Sequence, residues 1–232
     1  MSQPAVVLVH GAFADASSFG EVVPQLLDDQ IPVVAPAMPN RSLNGDAAYL
    51  AAVLATIPGP VVLVGHSYGC AVATVAGIGY NVSSLVYLAG FVPDRGESLG
   101  ELAGRFPDSD LATALMPTPV PGGVDLTVAV DRFPDVFAAD VDRRVARTLA
   151  VTQRPLSAAA FEEKAEAAAW HTKPAWGVVA TADRTINPEV QRFAYQRANV
   201  AALEVESSHL LMLSQPTVAV ELIKKAVLAI SD

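Results

Sequence analysis

Ser67 stands in the run Gly65-His66-Ser67-Tyr68-Gly69, directly after the apolar run Val61-Val62-Leu63-Val64. A serine flanked by glycines two before and two after, between a strand and a helix, fits a sharp, strained turn. Residues at those two places crowd together, and glycine removes the side-chain atoms that would collide. Such a turn lifts the hydroxyl above the carboxyl end of a sheet, beside a helix N-terminus that favours developing negative charge. A serine hydroxyl is a weak nucleophile unless a base takes its proton. The motif therefore asks for a histidine, and for an acid to orient it.

The chain has four histidines. On this kind of turn the partners follow in the order serine, acid, histidine. His10 and His66 precede the serine, and His171 precedes the best acid, so His209 in Glu206-Ser207-Ser208-His209 is the expected base. Asp183 lies just past the strand-like run Trp176–Ala180, where a carboxylate can hold a histidine tautomer by hydrogen bonding. Asp94 is its rival; Glu204 and Glu206 stand too near His209 along a strand to be favoured. The oxyanion of acyl transfer needs two backbone N–H donors. Tyr68, following the nucleophile, is one; Ala12, in the loop His10-Gly11-Ala12-Phe13, is the expected second, with Phe13 next. Phe13 and Leu210 are expected to line the substrate site.

These residues need a frame. Val-rich runs of strand length recur at Ala5–Val9, Ile31–Ala35, Pro60–Val64, Ser84–Ala89, Ala175–Ala180 and Ala201–Val205. Helix-like segments separate the first four. Ser18 to Glu21 reads as a capping box, Asp46 as the cap of a helix over Ala47–Ile57, and Cys70–Gly77 as a small Ala-rich helix. Alternation of this kind predicts a mostly parallel sheet of about six strands with helices on both faces.

Between about Phe91 and Trp170 the rhythm fails. That stretch has few strand-like runs and reads as helical around Asp140–Val151 and Ser157–Trp170. It carries thirteen acidic and eight basic residues. It is expected to leave the sheet, return at Ala175, and act as a lid over a neighbouring site. Trp170, Phe133, Phe137, Leu115 and Met116 either line an apolar pocket there or form ordinary lid core.

Composition narrows the function classes. Of the 232 residues 52% are hydrophobic and 17% charged, which suits a large buried core. Fifteen basic against twenty-four acidic residues give a net charge of −9, which repels phosphate backbones and anionic lipid. The densest basic cluster, Arg143, Arg144 and Arg147, has Asp140 and Asp142 beside it, so no nucleic-acid partner is expected. From Ala47 to Pro93 there is no charged residue, which raises the question of a membrane helix. Pro58-Gly59-Pro60, Gly65, Gly77 and Gly79 break that run, and a parallel sheet covered on both faces gives the same text. Cys70 is the only cysteine and is expected to be a buried small residue. With no basic, apolar leader at its start, the chain is expected to stay in the cytoplasm. Neither dinucleotide nor P-loop motifs occur, and no histidine pair has zinc spacing, so neither metal nor cofactor is expected.

The His10–Phe13 loop, the Gly65–Gly69 elbow, the segment Ala182-Asp183-Arg184-Thr185-Ile186-Asn187-Pro188 and the late Ser207-Ser208-His209 resemble the α/β-hydrolase superfamily. They are most similar to its compact branch of methylesterases and hydroxynitrile lyases. The resemblance spans almost the whole chain and is weakest in the lid stretch. It implies an α/β-hydrolase fold over residues 1–232, with the lid inserted at about 91–170, and cofactor-free cleavage of small esters or related bonds. Lyases similar to this carry threonine or asparagine where this chain has Gly11, and one type has lysine where it has Leu210. Both departures argue against cyanohydrin cleavage. Tyr68 replaces a smaller residue and is expected to narrow the pocket. The expected reaction is hydrolysis of small, largely apolar carboxylic esters through an acyl-enzyme. Lyase, C–C hydrolase or perhydrolase chemistry on the same triad, or a small-molecule receptor with a vestigial triad, are the alternatives.

Overall fold

The computed structural model describes residues 3–230. In it β1 (Ala5–Val9) leads through a 3-10 turn over Ala16–Phe19 to α1 (Val23–Asp28) and β2 (Val33–Val34). Then come α2 (Leu43–Ala55), β3 (Val61–His66), α3 (Tyr68–Ala76) and β4 (Val82–Leu88). An excursion follows, with α4 (Leu99–Ala103), β5 (Leu115–Val120), β6 (Gly123–Val128), α5 (Phe133–Phe137), α6 (Arg143–Val151), β7 (Leu156–Ser157) and α7 (Ala159–Glu162). The chain closes with β8 (Ala175–Ala180), α8 (Pro188–Arg197), β9 (Ala201–Val205), α9 (Leu211–Ser214) and α10 (Pro216–Leu228).

Six strands form one parallel sheet in the order β2-β1-β3-β4-β8-β9. Every residue of β1 and β3 is buried, which is why these strands read as unbroken apolar text rather than as alternation. Register matters more than count. Val9 pairs with Gly65, His66 with Leu88, and Ala180 with Val205. The loops carrying His10–Phe13, Ser67, Asp183 and His209 therefore leave the sheet at the same edge, the carboxyl ends of its strands. No helix among the described residues is long and apolar enough to cross a membrane.

Several local expectations are corrected. The capping box at Ser18 does not form: Asp15 caps the 3-10 turn by accepting from Ser17 N–H, Ser18 Oγ donates to the Asp15 carbonyl, and α1 starts at Val23. Ser42, not Asp46, caps α2. Asp46 sits inside the first turn, where its carboxylate accepts from Arg41 N–H and the Tyr68 hydroxyl. The second strand pairs only over Val33–Val34.

The excursion also carries strands. β5, β6 and β7 make a small antiparallel sheet, which the sequence hid because Pro117 and Pro119 sit in β5. Proline cannot donate to a ladder and is tolerated on an edge, and β5 is an edge strand, paired on one side. Of the helices expected there, α6 begins at Arg143 with Asp142 as its cap. The stretch Ser157–Trp170 holds only α7 and the start of a short 3-10 turn over Ala169–His171.

Candidate active site

Ser67 follows β3 with φ of 56° and ψ of −124°, a left-handed backbone that is costly for a residue with a side chain. The surrounding packing holds it there. A Cβ on Gly65 would lie 2.5 Å from the Gly69 carbonyl oxygen, and one on Gly69 would lie 2.3 Å from the Val9 carbonyl oxygen. Ser67 N–H donates to the Leu88 carbonyl, and the Ser67 carbonyl accepts from Cys70 and Phe91 N–H. The serine is thus pinned between β4 and the start of α3.

His209 reaches it from the loop after β9. Its Nε2 lies 2.8 Å from Ser67 Oγ, and its Nδ1 lies 2.7 Å from Asp183 Oδ2. His209 and the Asp183 side chain are fully buried. The carboxylate accepts four hydrogen bonds. Oδ1 takes Thr185 N–H at 2.7 Å and Ile186 N–H at 3.0 Å, while Oδ2 takes Gln191 Nε2 at 2.8 Å in addition to the imidazole. With the carboxylate able only to accept, Nδ1 carries the proton and the lone pair on Nε2 faces Ser67 Oγ. The rival Asp94 is elsewhere, on the surface against His171 at 2.9 Å. Glu204 is bound by Arg192.

Two residues to which the sequence reading gave no role support this set. Gln191, from α8, is fully buried and also accepts Ala180 N–H at 3.0 Å, tying the acid to the end of β8. His66 donates from Nε2 to the His209 carbonyl at 2.9 Å, and the two rings lie 4.7 Å apart. Burial, and then the neighbouring His209, hold the His66 imidazole well below its ordinary range, so it stays neutral and serves as a fixed donor. Neither carried a signal in the text: a glutamine eight residues after the acid is an ordinary helix residue until its helix is placed.

The first loop is equally ordered. His10 accepts Met38 N–H at Nε2 and donates from Nδ1 to the Gly11 carbonyl, which Asn40 Nδ2 also approaches at 3.4 Å. In a trans peptide the N–H points opposite to the C=O, so Ala12 N–H is turned away from those partners. The loop lies against Ser67: a Cβ on Gly11 would be 2.7 Å from Ser67 Cβ. Among the described residues no acceptor is bonded to Ala12 N–H or Tyr68 N–H, whereas Phe13 N–H is taken by the Arg154 carbonyl at 3.1 Å.

Tyr68 does not narrow a pocket. Its ring is buried and its hydroxyl is 2.8 Å from Asp46 Oδ2 on α2. A cavity of about 340 Å³ lies between the excursion and the Thr185–Asn187 loop with α8, lined by Phe91, Leu111, Leu115, Leu126, Phe161 and Val190 among others. Ser67, Phe13 and Leu210 are not on its wall; Phe13 and Leu210 are buried beside the triad. Of the lid residues singled out by sequence, Leu115 lines the cavity and Met116 is exposed. Phe133 stacks on Phe137, Phe137 meets the His209 ring edge-on at 4.7 Å, and Trp170 bonds the Pro93 carbonyl next to His171. Cys70 is buried, its Sγ 3.0 Å from the Gly65 carbonyl. Among the described residues no group of three or more His, Cys, Asp or Glu is placed to hold a metal.

A six-stranded parallel sheet with a serine on a strained turn at its carboxyl edge, facing a histidine and an aspartate, defines a class of hydrolase folds. The chain matches the model of the alpha/beta hydrolase family over residues 6–222, and it belongs to that family. Solved structures share the fold at low identity. Polyneuridine aldehyde esterase is 22% identical, with all of both chains covered and a TM-score of 0.81. A pyrethroid hydrolase from Sphingobium faniae JZ-2 is 21% identical over 97% of each chain, with a TM-score of 0.80. A methylesterase from Arabidopsis is 17% identical over 97% of this chain and 98% of that one, with a TM-score of 0.78. Among curated proteins none matches in sequence.

Proposed function

We propose that this hydrolase cleaves small, largely apolar carboxylic esters through an acyl-enzyme on Ser67. The observation that carries the reading is the buried chain Ser67 Oγ, His209 Nε2, His209 Nδ1, Asp183 Oδ2, with links of 2.8 and 2.7 Å. His209 takes the Ser67 proton as Oγ attacks the ester carbon, and returns it to the departing alcohol. Water, deprotonated by the same imidazole, then releases the acid. Asp183 keeps the proton on Nδ1 and stabilises the imidazolium. Ala12 and Tyr68 N–H receive the oxyanion; each such donor is worth about 3–4 kcal/mol of barrier.

The apolar cavity beside Phe91 supports a substrate of modest size, being near the lower end of the roughly 300–1,000 Å³ usual for ligand pockets. Ser67 is 5% exposed, so the ester must pass under the segment covering the triad. The fold neighbours include proteins named as an esterase, a methylesterase and a pyrethroid hydrolase, which supports ester bonds as the substrate class. The test is turnover of a series of p-nitrophenyl esters by the protein and by Ser67→Ala. The substitution should lower kcat by about 10⁴ or more, as removal of a catalytic serine does elsewhere. Mass spectrometry should find the acyl group on the Ser67 peptide. Equal rates in the two proteins would end the proposal.

A further inference from the structure

The loop that carries His209 is gripped from the lid. Asp140 follows α5, and its two carboxylate oxygens divide between two donors of one residue. Oδ2 accepts Ser208 N–H at 3.0 Å and Oδ1 accepts the Ser208 hydroxyl in a short hydrogen bond. Asp140 forms no ion pair among the described residues, although Arg143 and Arg144 follow closely in the chain. Burial alone would raise its carboxyl, but hydrogen bonding from Ser208, and then from the Ser214 and Ser207 hydroxyls, outweighs this and holds it below the usual carboxylate range.

The same stretch touches the rest of the charge-relay pair. Val136 accepts the Thr185 hydroxyl at 2.9 Å, on the loop that holds Asp183, and the Phe137 ring meets the His209 imidazole at 4.7 Å. Three contacts within five residues of lid thus reach the acid loop, the imidazole and the residue before the histidine. From the sheet side, His209 is held by Asp183, by Ser67 and by His66 on its carbonyl. On that side the peptide leading into Ser208 is met by Ala182 N–H, which donates to the Ser207 carbonyl at 3.2 Å, and the Ser207 hydroxyl donates to the Ser208 carbonyl at 3.0 Å; the Ser208 N–H and hydroxyl are left to Asp140.

Building on the esterase reading, we infer that Asp140 is a positioning residue that aligns His209 through Ser208, so that the base is correctly placed only while the lid segment is seated. Asp140 touches no reacting atom. Its two bonds fix the Ser207–Ser208 peptide and the Ser208 side chain, and through them the approach of His209 Nε2 to Ser67 Oγ on which proton transfer depends. Displacements of about 1 Å at such a distance cost up to about a hundredfold in rate.

The experiment compares Asp140→Ala, Asp140→Asn and Ser208→Ala with the unaltered protein. Its readouts are steady-state ester hydrolysis, the rate of Ser67 labelling by a fluorophosphonate, and the melting temperature. Asp140→Ala should lose between about tenfold and about a hundredfold in kcat and in labelling rate, with KM nearly unchanged. Asp140→Asn should recover most of the loss, since its amide oxygen can accept Ser208 N–H and its NH₂ can donate to the hydroxyl oxygen. Ser208→Ala, which keeps the backbone bond, should fall between them, and it decides the matter if Asp140→Ala does not fold. Labelling at the unaltered rate in Asp140→Ala or in Ser208→Ala overturns the inference. So does a change in KM with kcat preserved, or an Asp140→Asn no better than Asp140→Ala. Absence of Ser67 labelling in the unaltered protein would instead refute the esterase reading itself.

Discussion

Asp183→Asn exchanges one oxygen for an NH₂ of nearly the same size, and the surrounding bonds dictate how the new amide turns. Thr185 and Ile186 N–H, both backbone donors, lie 2.7 and 3.0 Å from Oδ1. The amide oxygen must stay with them, which puts the NH₂ in the place of Oδ2. There it faces His209 Nδ1 at 2.7 Å and Gln191 Nε2 at 2.8 Å. Gln191 cannot freely turn its own amide, because Oε1 accepts Ala180 N–H. The imidazole must then offer a lone pair at Nδ1 and carry its proton on Nε2, where it can no longer accept from Ser67. The same tautomer reversal in serine proteases lowers kcat by about 10⁴, or about 5.4 kcal/mol at about 1.36 kcal/mol per tenfold. The opposed donors should also cost about 1–3 kcal/mol of stability. Both are read from p-nitrophenyl ester kinetics and denaturant unfolding of the same preparation. Asp94→Asn is the matched control: the partner of Asp94 is the exposed His171, and surface changes stay within about 0.5 kcal/mol. An Asp183→Asn protein that keeps more than about a tenth of the activity would refute the reasoning, because something else would then be holding the tautomer.

Gly11→Ala would place a Cβ 2.7 Å from Ser67 Cβ. Since the His10–Phe13 loop and Ser67 must part to admit it, kcat should drop about a hundredfold while the melting point moves by far less than for a core cavity; intact turnover would mean the loop can shift without consequence. Glu97 is largely buried, and burial would raise its carboxyl. Hydrogen bonds from Arg197 at 2.7 Å and Asp94 N–H at 3.0 Å, with the Arg197 and Arg105 charges, more than offset this and set it below the ordinary range. A depressed folded value means that its contribution is full above the unfolded value of about 4.3 and is lost as pH falls through the folded one. Unfolding free energies measured from about pH 6 down to about pH 3 should therefore fall more steeply for the protein than for Glu97→Gln, and parallel curves would contradict this. Burial pushes the Cys70 thiol up, and its Sγ lies 3.0 Å from a carbonyl. A maleimide should leave the native protein unmodified near pH 8 and label it only on unfolding; rapid native labelling would show that α3 is accessible.

What was legible in the text follows from how local each constraint is. The elbow could be read because its steric demand spans five residues: Gly65 and Gly69 nearly touch, and no larger residue fits. The strands could be read because a doubly covered parallel sheet leaves β1 wholly apolar and β3 apolar up to Gly65. Asp183 was harder, since Asp94 also follows a strand, and only the register of β8 on β4 and β9 shows which loop faces His209. Asp46 misled because a carboxylate four residues into a helix and a capping one look alike until Tyr68 arrives from α3 to bond it.

The lid resisted for a different reason, and that reason bears on how such proteins diversify. Its links to the site join residues far apart in the chain: Asp140 to Ser208, Val136 to Thr185, Arg154 to Phe13. None follows a spacing rule, because each depends on where a loop comes to rest on the sheet. The hairpin of β5 and β6 likewise depends on pairing with β7, about thirty residues later, and its prolines disguise it. An elbow set by local sterics and an excursion set by scattered pairwise contacts can change independently, except where the excursion touches the loops around Asp183 and His209. The stretch from Val136 to Asp140 is such a place, so substitutions there should alter rate, while those lining the cavity at Leu111, Leu115 and Leu126 should alter which ester is preferred. Profiling Leu115→Ala against esters of increasing acyl length checks the second half. A preference shifted toward longer chains at similar kcat is expected, and a uniform loss across the series would show that the cavity does not receive the substrate.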